Sequence, residues 1–120
     1  MEWILDKGRA ICPQICEQVC KRIVTGEFKP GEKLLSVREV AVKAGVNPNT
    51  VQKSFDILEQ KGILFSQRGL GWFVSENIAL AKSELATITR TITQDYFSKM
   101  KTLGMSPDEV KQYVLQWNES

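Results

Sequence analysis

The chain has 120 residues, of which 42% are hydrophobic and 25% are charged, so it is long enough for one domain with an appendage. The formal net charge is only +2, with 11 Lys and Arg against 8 Asp and Glu in residues 1–75 and 5 against 6 in residues 76–120, so bulk charge identifies no partner. An N-terminal signal pattern and a long apolar run are both missing from the sequence, so we expect a cytoplasmic protein with no membrane partner.

The first predicted helix begins at Pro13, a residue suited to the first helical position, and runs to about Thr25, where Gly26 ends it. Residues 3–11 are expected to form an extended lead-in to this helix. A stripe of small and apolar residues at helical spacing predicts its buried face: Ile15, Cys16, Val19, Cys20, Ile23 and Val24.

The cysteines lie at intervals of four residues on one face of this helix: Cys12, Cys16 and Cys20. The sequence has no His, and no second cluster offers a fourth ligand, so we expect neither a metal site nor a cofactor. Cys16 and Cys20 are therefore interpreted as small core residues. The alternative is a thiol-responsive regulator that senses through the three cysteines.

The second predicted helix opens at Ser36 with a capping box, in which the Ser36 hydroxyl accepts from the Glu39 amide and the Glu39 carboxylate accepts from the Ser36 amide. One face of this helix is apolar: Val37, Val40, Ala41 and Ala44. Arg38 lies off that face and is directed to solvent or to a partner. Gly45 ends the helix at a position that favours a positive φ.

A third helix follows after a short turn, with Asn47 as its N-cap and Pro48 as its first residue. Val51, Phe55 and Leu58 recur at helical spacing and predict its buried face. The two helices and the turn at Gly45 predict a helix-turn-helix.

The runs 63–67 and 71–75 are rich in β-forming residues and are joined by a short loop that contains Arg68 and Gly69, which predicts a hairpin. A hairpin directly after a helix-turn-helix predicts a winged helix. The segment 63–75 has no acidic residue, which suits a loop that lies against phosphates.

The third helix has a polar outward side at its start: Asn49, Thr50, Gln52 and Lys53. In a helix-turn-helix, the first residues of the second helix contact base edges in the major groove. Asn and Gln bind adenine through two hydrogen bonds, and Thr offers a hydroxyl or a methyl group. The alternative is that Asn47 only caps the helix and the other side chains only form a solvated face. Capping explains Asn47, but it does not explain Asn49 or Gln52. The side chains therefore indicate double-stranded DNA as the partner.

Residues 24–74 resemble the DNA-binding domain of the GntR family of bacterial transcription regulators. The most specific stretches are GEFKPGEKL at 26–34, SVREVA at 36–41, GVNPNTV at 45–51 and RGLGWFV at 68–74. The short tail resembles the YtrA-type branch, in which two helices replace a large effector domain. Leu35 stands where the family usually has a proline.

The resemblance implies a repressor, and not an enzyme, that binds a palindromic operator as a homodimer. The resemblance to the YtrA-type branch further implies control of a transporter operon. It also implies a set of DNA-binding residues: Arg38, Asn47, Asn49, Thr50, Gln52, Arg68 and Gly69. Lys53 is added to this set from its place on the outward side of the third helix, as a contact to the DNA backbone. The expected fold class is mainly α with a small β-hairpin wing, a winged helix-turn-helix at 1–75 followed by a helical dimerisation tail at 76–120.

The tail carries apolar residues at alternating spacings of three and four, which is typical of a helix–helix seam: Ile78, Ala81, Leu85, Ile88 and Ile92, continued by Tyr96 and Met100. The seam predicts a helix over about 77–103, ended by Gly104. A second capping box at Ser106 and Glu109 predicts a short last helix.

Two helices cannot enclose their own apolar seams, so packing against a second chain with twofold symmetry is favoured. The expected dimerisation residues are Ile78, Leu85, Ile88, Ile92, Tyr96, Val114 and Trp117. The alternative is that the long helix folds back on its own winged helix. A winged helix used only for protein–protein contact is a further alternative, and the sequence identifies no effector ligand.

Overall fold

The computed structural model describes residues 2–118. Its elements in chain order are α1 (Ile11–Val24), α2 (Val37–Ala44), α3 (Pro48–Gln60), β1 (Leu64–Gln67), β2 (Gly71–Val74), α4 (Ala79–Thr102) and α5 (Pro107–Leu115). The two strands pair antiparallel. The predicted fold class, a winged helix-turn-helix followed by two helices, is confirmed.

The capping residues predicted for the second, third and last helices start α2, α3 and α5. Ser36 and Glu39 form the reciprocal capping box, with both nitrogen–oxygen distances at 3.1 Å. The N–H of Asn49 donates to Oδ1 of the N-cap Asn47 at 2.8 Å. Ser106 opens α5 with a second complete capping box. These bonds satisfy amide donors that a helix leaves without intrahelical partners in its first turn.

Two helices have boundaries that differ from the prediction. α1 begins at Ile11, so Pro13 is its third residue rather than its first. A proline is tolerated at that position because the first turn requires no N–H donor there. α4 covers 79–102 rather than 77–103, since the side chain of Asn77 accepts from the N–H of Ala79 and the helix starts after this bond.

The core lies where α1 and α2 pack against α3 and the sheet closes over it. Val51, Phe55 and Leu58 are buried on α3, as their spacing predicts. Cys16 and Cys20 are buried on α1, which confirms their interpretation as core residues. Further buried members complete the cluster: Ile15, Val19, Ile23, Leu34, Val40, Ala41, Ile63, Leu64, Val74 and Ala81.

The segment before α1 was expected to be extended, but residues 7–9 form a turn, in which the N–H of Arg9 donates to the carbonyl of Asp6 at 3.2 Å. Side chains hold this segment against the helix. Arg22 donates from Nη2 to the carbonyl of Glu2 at 2.9 Å, and its guanidinium lies 3.8 Å from the centre of the Trp3 ring. The side-chain amide of Gln14 accepts from the N–H of Asp6 at 2.7 Å and donates to the carbonyl of the same residue at 2.8 Å. The lead-in is therefore an ordered arm.

The chain forms two compact units, one up to Leu85 and one from Ala86 onward, so the division falls inside α4. The first turns of α4 belong to the first unit. Ala81 is buried there, Ile78 and Leu85 pack against the core, and Glu84 forms a salt bridge with Lys61. Over residues 2–118, no helix combines the length and apolar character that a membrane crossing requires.

Candidate nucleic-acid interface

The start of α3 presents its polar side chains to solvent. Asn49 is exposed, and Thr50 is half-buried with its carbonyl accepting from the Ser54 hydroxyl at 2.8 Å. Oδ1 of Asn47 accepts the cap bond from the N–H of Asn49, so the amide donors of Asn47 are the groups best placed for a ligand. The first turn therefore offers a complete amide at Asn49 and a donor group at Asn47.

Gln52 and Lys53 continue this exposed surface on the next turn. The Gln52 side chain is oriented, because Nε2 donates to Oδ1 of Asp56 at 2.9 Å. Behind these residues, Val51 and Phe55 anchor the opposite side of the helix in the core. The exposed side of α3 is thus held at a fixed rotation about the helix axis.

Arg38 is the second residue of α2 and is exposed. Its neighbour Glu39 is engaged in the capping box, where the Ser36 N–H and hydroxyl hold the pKa of that carboxyl below its usual value. The positive end of a helix dipole and an arginine in the first turn both favour an anion.

The wing is a tight hairpin with Leu64 opposite Val74 and Gln67 opposite Gly71. The N–H of Leu70 donates to the carbonyl of Gln67 at 2.9 Å and closes the turn. Gly69 has φ +79° with open space around it, a conformation that other residues rarely adopt. Arg68 is exposed at the tip.

Three residues near these elements were missed by sequence reasoning. Oε2 of Glu59 accepts from both N–H and Oγ of Ser66, at 3.1 and 2.7 Å, and so ties β1 to α3. Lys33 pairs with Phe73 through the backbone as an isolated antiparallel β-bridge, and this pairing places a basic residue beside the wing. Lys7 donates from Nζ to the carbonyl of Gly45 at 2.7 Å, in the turn between the two helices.

Glu59 and Ser66 are seven residues apart, but they lie on different elements, α3 and β1, so the periodicity of a single helix or strand does not pair them. The contacts of Lys7 and Lys33 join segments that are distant in sequence. Only the folded arrangement of the arm, the turn and the wing brings these groups together, so no sequence signal marked them.

The cysteine cluster has the chemistry of a core. Burial raises the pKa of both the Cys16 and the Cys20 thiol to about 12. Cys12 is half-buried, and its Sγ lies 3.2 Å from Oγ of Ser54. Among residues 2–118, no group of three or more His, Cys, Asp or Glu side chains is placed to hold a metal ion.

The second unit carries an exposed apolar surface, which we call the tail surface. It consists of Ile92, Tyr96, Leu103, Tyr113, Val114, Leu115 and Trp117. Two shallow grooves of about 680 and 580 Å³ lie on it and share Tyr96 and Val114. Three further residues were expected at the dimer interface. Ile78 and Leu85 pack against the core of their own chain, as in the alternative in which the long helix folds back on its own winged helix. Ile88 is half-buried.

Residues 13–74 match the family described as bacterial regulatory proteins, gntR family. The chain is 35% identical to the uncharacterised HTH-type transcriptional regulator YhcF of Bacillus subtilis, over 95% of this chain and 94% of the relative. It is 39% identical to the HTH-type transcriptional repressor YtrA of the same organism, over 75% of this chain and 67% of YtrA.

Solved structures agree with these relatives. A GntR family transcriptional regulator from Listeria monocytogenes superposes with a TM-score of 0.77 at 32% identity, over 95% of this chain and all of that one. The DNA-binding domain of AraR, solved in complex with operator ORX1, superposes with a TM-score of 0.54 at 26% identity, over 62% of this chain and 92% of that domain. Fold and tail thus both have counterparts among transcription regulators.

Proposed function

The chain belongs to the GntR family of bacterial regulatory proteins, a family of DNA-binding transcription regulators and not enzymes, and we propose that it is a repressor that binds a palindromic operator as a homodimer. Residues 1–75 are the DNA-binding domain in this proposal, and residues 76–120 are the dimerisation tail. It acts in the cytoplasm, where bacterial operators lie.

The observation that carries this proposal is the exposed polar start of α3, held at a fixed rotation by the buried Val51 and Phe55. We assign base contacts to Arg38, Asn49, Thr50 and Gln52, with Asn47 adding its free amide donors. Phosphate contacts are assigned to Lys53, Arg68 and the backbone at Gly69.

The homodimer is proposed from the tail surface. Ile92, Val114 and Trp117 are 58%, 50% and 63% exposed, which is costly for apolar side chains unless a partner covers them. A second copy of the same tail is the occupant that supports function, since a palindromic operator needs two recognition helices related by twofold symmetry. Covering this surface removes apolar area from water in both chains.

The repressor assignment rests on relatives, since YtrA is named a transcriptional repressor. The resemblance to the YtrA branch further suggests a transporter operon as the target. Neither assignment depends on a cofactor.

The proposal is tested by fluorescence anisotropy of the protein on labelled duplexes tiled across the region upstream of its own gene and neighbouring operons, at several salt concentrations. We expect one duplex to bind far more tightly than the others, with two chains per duplex and a steep salt dependence. Asn49→Ala combined with Gln52→Ala should remove this preference, because each bidentate base contact supplies about 1–3 kcal/mol of discrimination.

Gln60→Ala is the matched control, because Gln60 is an exposed glutamine at the opposite end of α3. This variant should keep the wild-type preference. Equal, weak binding of the wild-type protein to every duplex would contradict the proposal and favour the winged helix as a protein-contact module.

A further inference from the structure

Asp56 is an acidic residue on the helix that we assign to the DNA groove. It lies one turn after Gln52, is exposed, and accepts a hydrogen bond from Gln52 Nε2 at 2.9 Å. A carboxylate at this place opposes binding to DNA, because it repels the phosphates that supply most of the non-specific affinity. Its presence on the helix therefore calls for a compensating role.

The hydrogen bond defines which way the Gln52 amide points. An ionised carboxylate only accepts hydrogen bonds, so the NH₂ group of Gln52 must face Asp56 and Oε1 must be turned away from it. One amide proton is used by Asp56. Oε1 remains, and it forms a donor–acceptor edge with the amide proton on its own side of the C–N bond when Asp56 takes the other proton.

This free edge distinguishes the two purines. Adenine presents an acceptor at N7 and a donor at N6 in the major groove, which matches one amide proton and Oε1. Guanine presents acceptors at both N7 and O6, so Oε1 would meet an acceptor. An amide that rotates freely could instead turn its NH₂ group toward guanine.

We propose that Asp56 is a positioning residue that makes Gln52 select adenine over guanine in the operator. The inference rests on the proposed function, since it requires α3 to enter the major groove. Asp56 lowers general affinity for DNA by its charge and raises discrimination by fixing the amide.

The test first selects the preferred duplex of the wild-type protein from a randomised library, and then replaces each adenine of that duplex by guanine in turn. Anisotropy should show one position per half-site where the change weakens wild-type binding by roughly five- to a hundredfold. The ratio of the affinity for the adenine duplex to that for the guanine duplex measures the discrimination. Asp56→Ala should reduce this adenine-to-guanine ratio several-fold and tighten binding to an unrelated duplex. Asp56→Asn removes the charge but keeps an acceptor oxygen, so it should tighten non-specific binding while retaining more of the ratio than Asp56→Ala.

A double-mutant cycle separates positioning from a direct contact. In a Gln52→Ala background, Asp56→Ala should leave the adenine-to-guanine ratio unchanged, because no amide remains to be oriented. Far-UV circular dichroism and thermal unfolding of each variant establish that the fold is retained.

Two results would overturn the inference while leaving the proposed function standing. One is an unchanged ratio in both Asp56 variants with Gln52 in place. The other is an equal effect of Asp56→Ala with and without Gln52, which would mean that the carboxylate itself contacts a base. Absence of any sequence preference in the wild-type protein would instead remove the proposed function and the inference together.

Discussion

At the scale of single residues, burial sets the reactivity of two of the three thiols in α1. Burial raises the pKa of the Cys16 and Cys20 thiols to about 12. At pH 8, a thiol with that pKa is ionised in only about one molecule in ten thousand, and the thiolate is the reactive form. The two buried cysteines are therefore poor sensors, although their spacing places them on one helical face.

We expect Cys16 and Cys20 to resist iodoacetamide in the folded protein at pH 8 and to react once urea unfolds it, because unfolding restores an ordinary pKa and gives access. Intact-mass spectrometry over time counts the modified thiols, and at most Cys12 should react quickly. Cys12→Ser is the control, and it should remove any fast phase. Rapid modification of two or more thiols in the native state would revive the thiol-responsive alternative.

At the scale of secondary-structure elements, the stability and position of the wing depend on its contacts with α3. A hairpin of two four-residue strands is marginally stable by itself. It is held here by the edge-on packing of Trp72 against Phe55, with ring centres 5.4 Å apart, and by the two hydrogen bonds from Ser66 to Glu59. The position of the wing tip relative to α3 follows from these contacts.

Glu59→Ala should weaken binding to the preferred duplex several-fold, because losing the two Ser66 bonds, each worth about 1 kcal/mol, loosens the wing. Anisotropy measures the affinity, and circular dichroism checks that the helices remain. Glu59→Gln is the matched control, since it removes the charge but keeps an acceptor for Ser66. This control should bind at least as tightly as the wild-type protein. Equal affinity of the alanine variant and the wild-type protein would show that the wing is not positioned through Glu59.

At the scale of the whole molecule, the proposed homodimer forms through the tail surface. Two antiparallel or crossing pairs of tail helices would bury Ile92, Tyr96 and Val114 from both chains. A monomer leaves these groups in water, and a symmetric dimer covers both copies with one interface. Dimerisation would also provide the two recognition helices that a palindrome requires.

Val114→Glu should convert the protein to monomers, because the substitution places a charge at the centre of an apolar interface where desolvation is unfavourable. Sedimentation velocity measures the mass, and operator affinity should fall with it. Val42→Glu is the matched control, since Val42 is 82% exposed on α2 and lies outside the tail surface. This control should remain dimeric. If Val114→Glu also stays dimeric, the interface lies elsewhere.

The sequence by itself determined the starts of α2, α3 and α5, the winged-helix order and the polar residues expected to meet DNA. These features depend on interactions within a few residues: Ser36 with Glu39, Asn47 with Asn49, and the periodic burial of Val51 and Phe55. Local hydrogen bonds and helical periodicity are readable in a sequence because the groups involved are neighbours along the chain.

Only the tertiary structure decided what the remaining groups do. The apolar spacing of the tail is continuous, yet Ile78 and Leu85 pack on their own core while Ile92 stays exposed. Likewise, nothing in the sequence pairs Glu59 with the wing or Lys7 with the turn at Gly45. Periodicity tells which side of a helix is apolar, but what covers that side depends on chain segments whose distance in space is set by the complete fold.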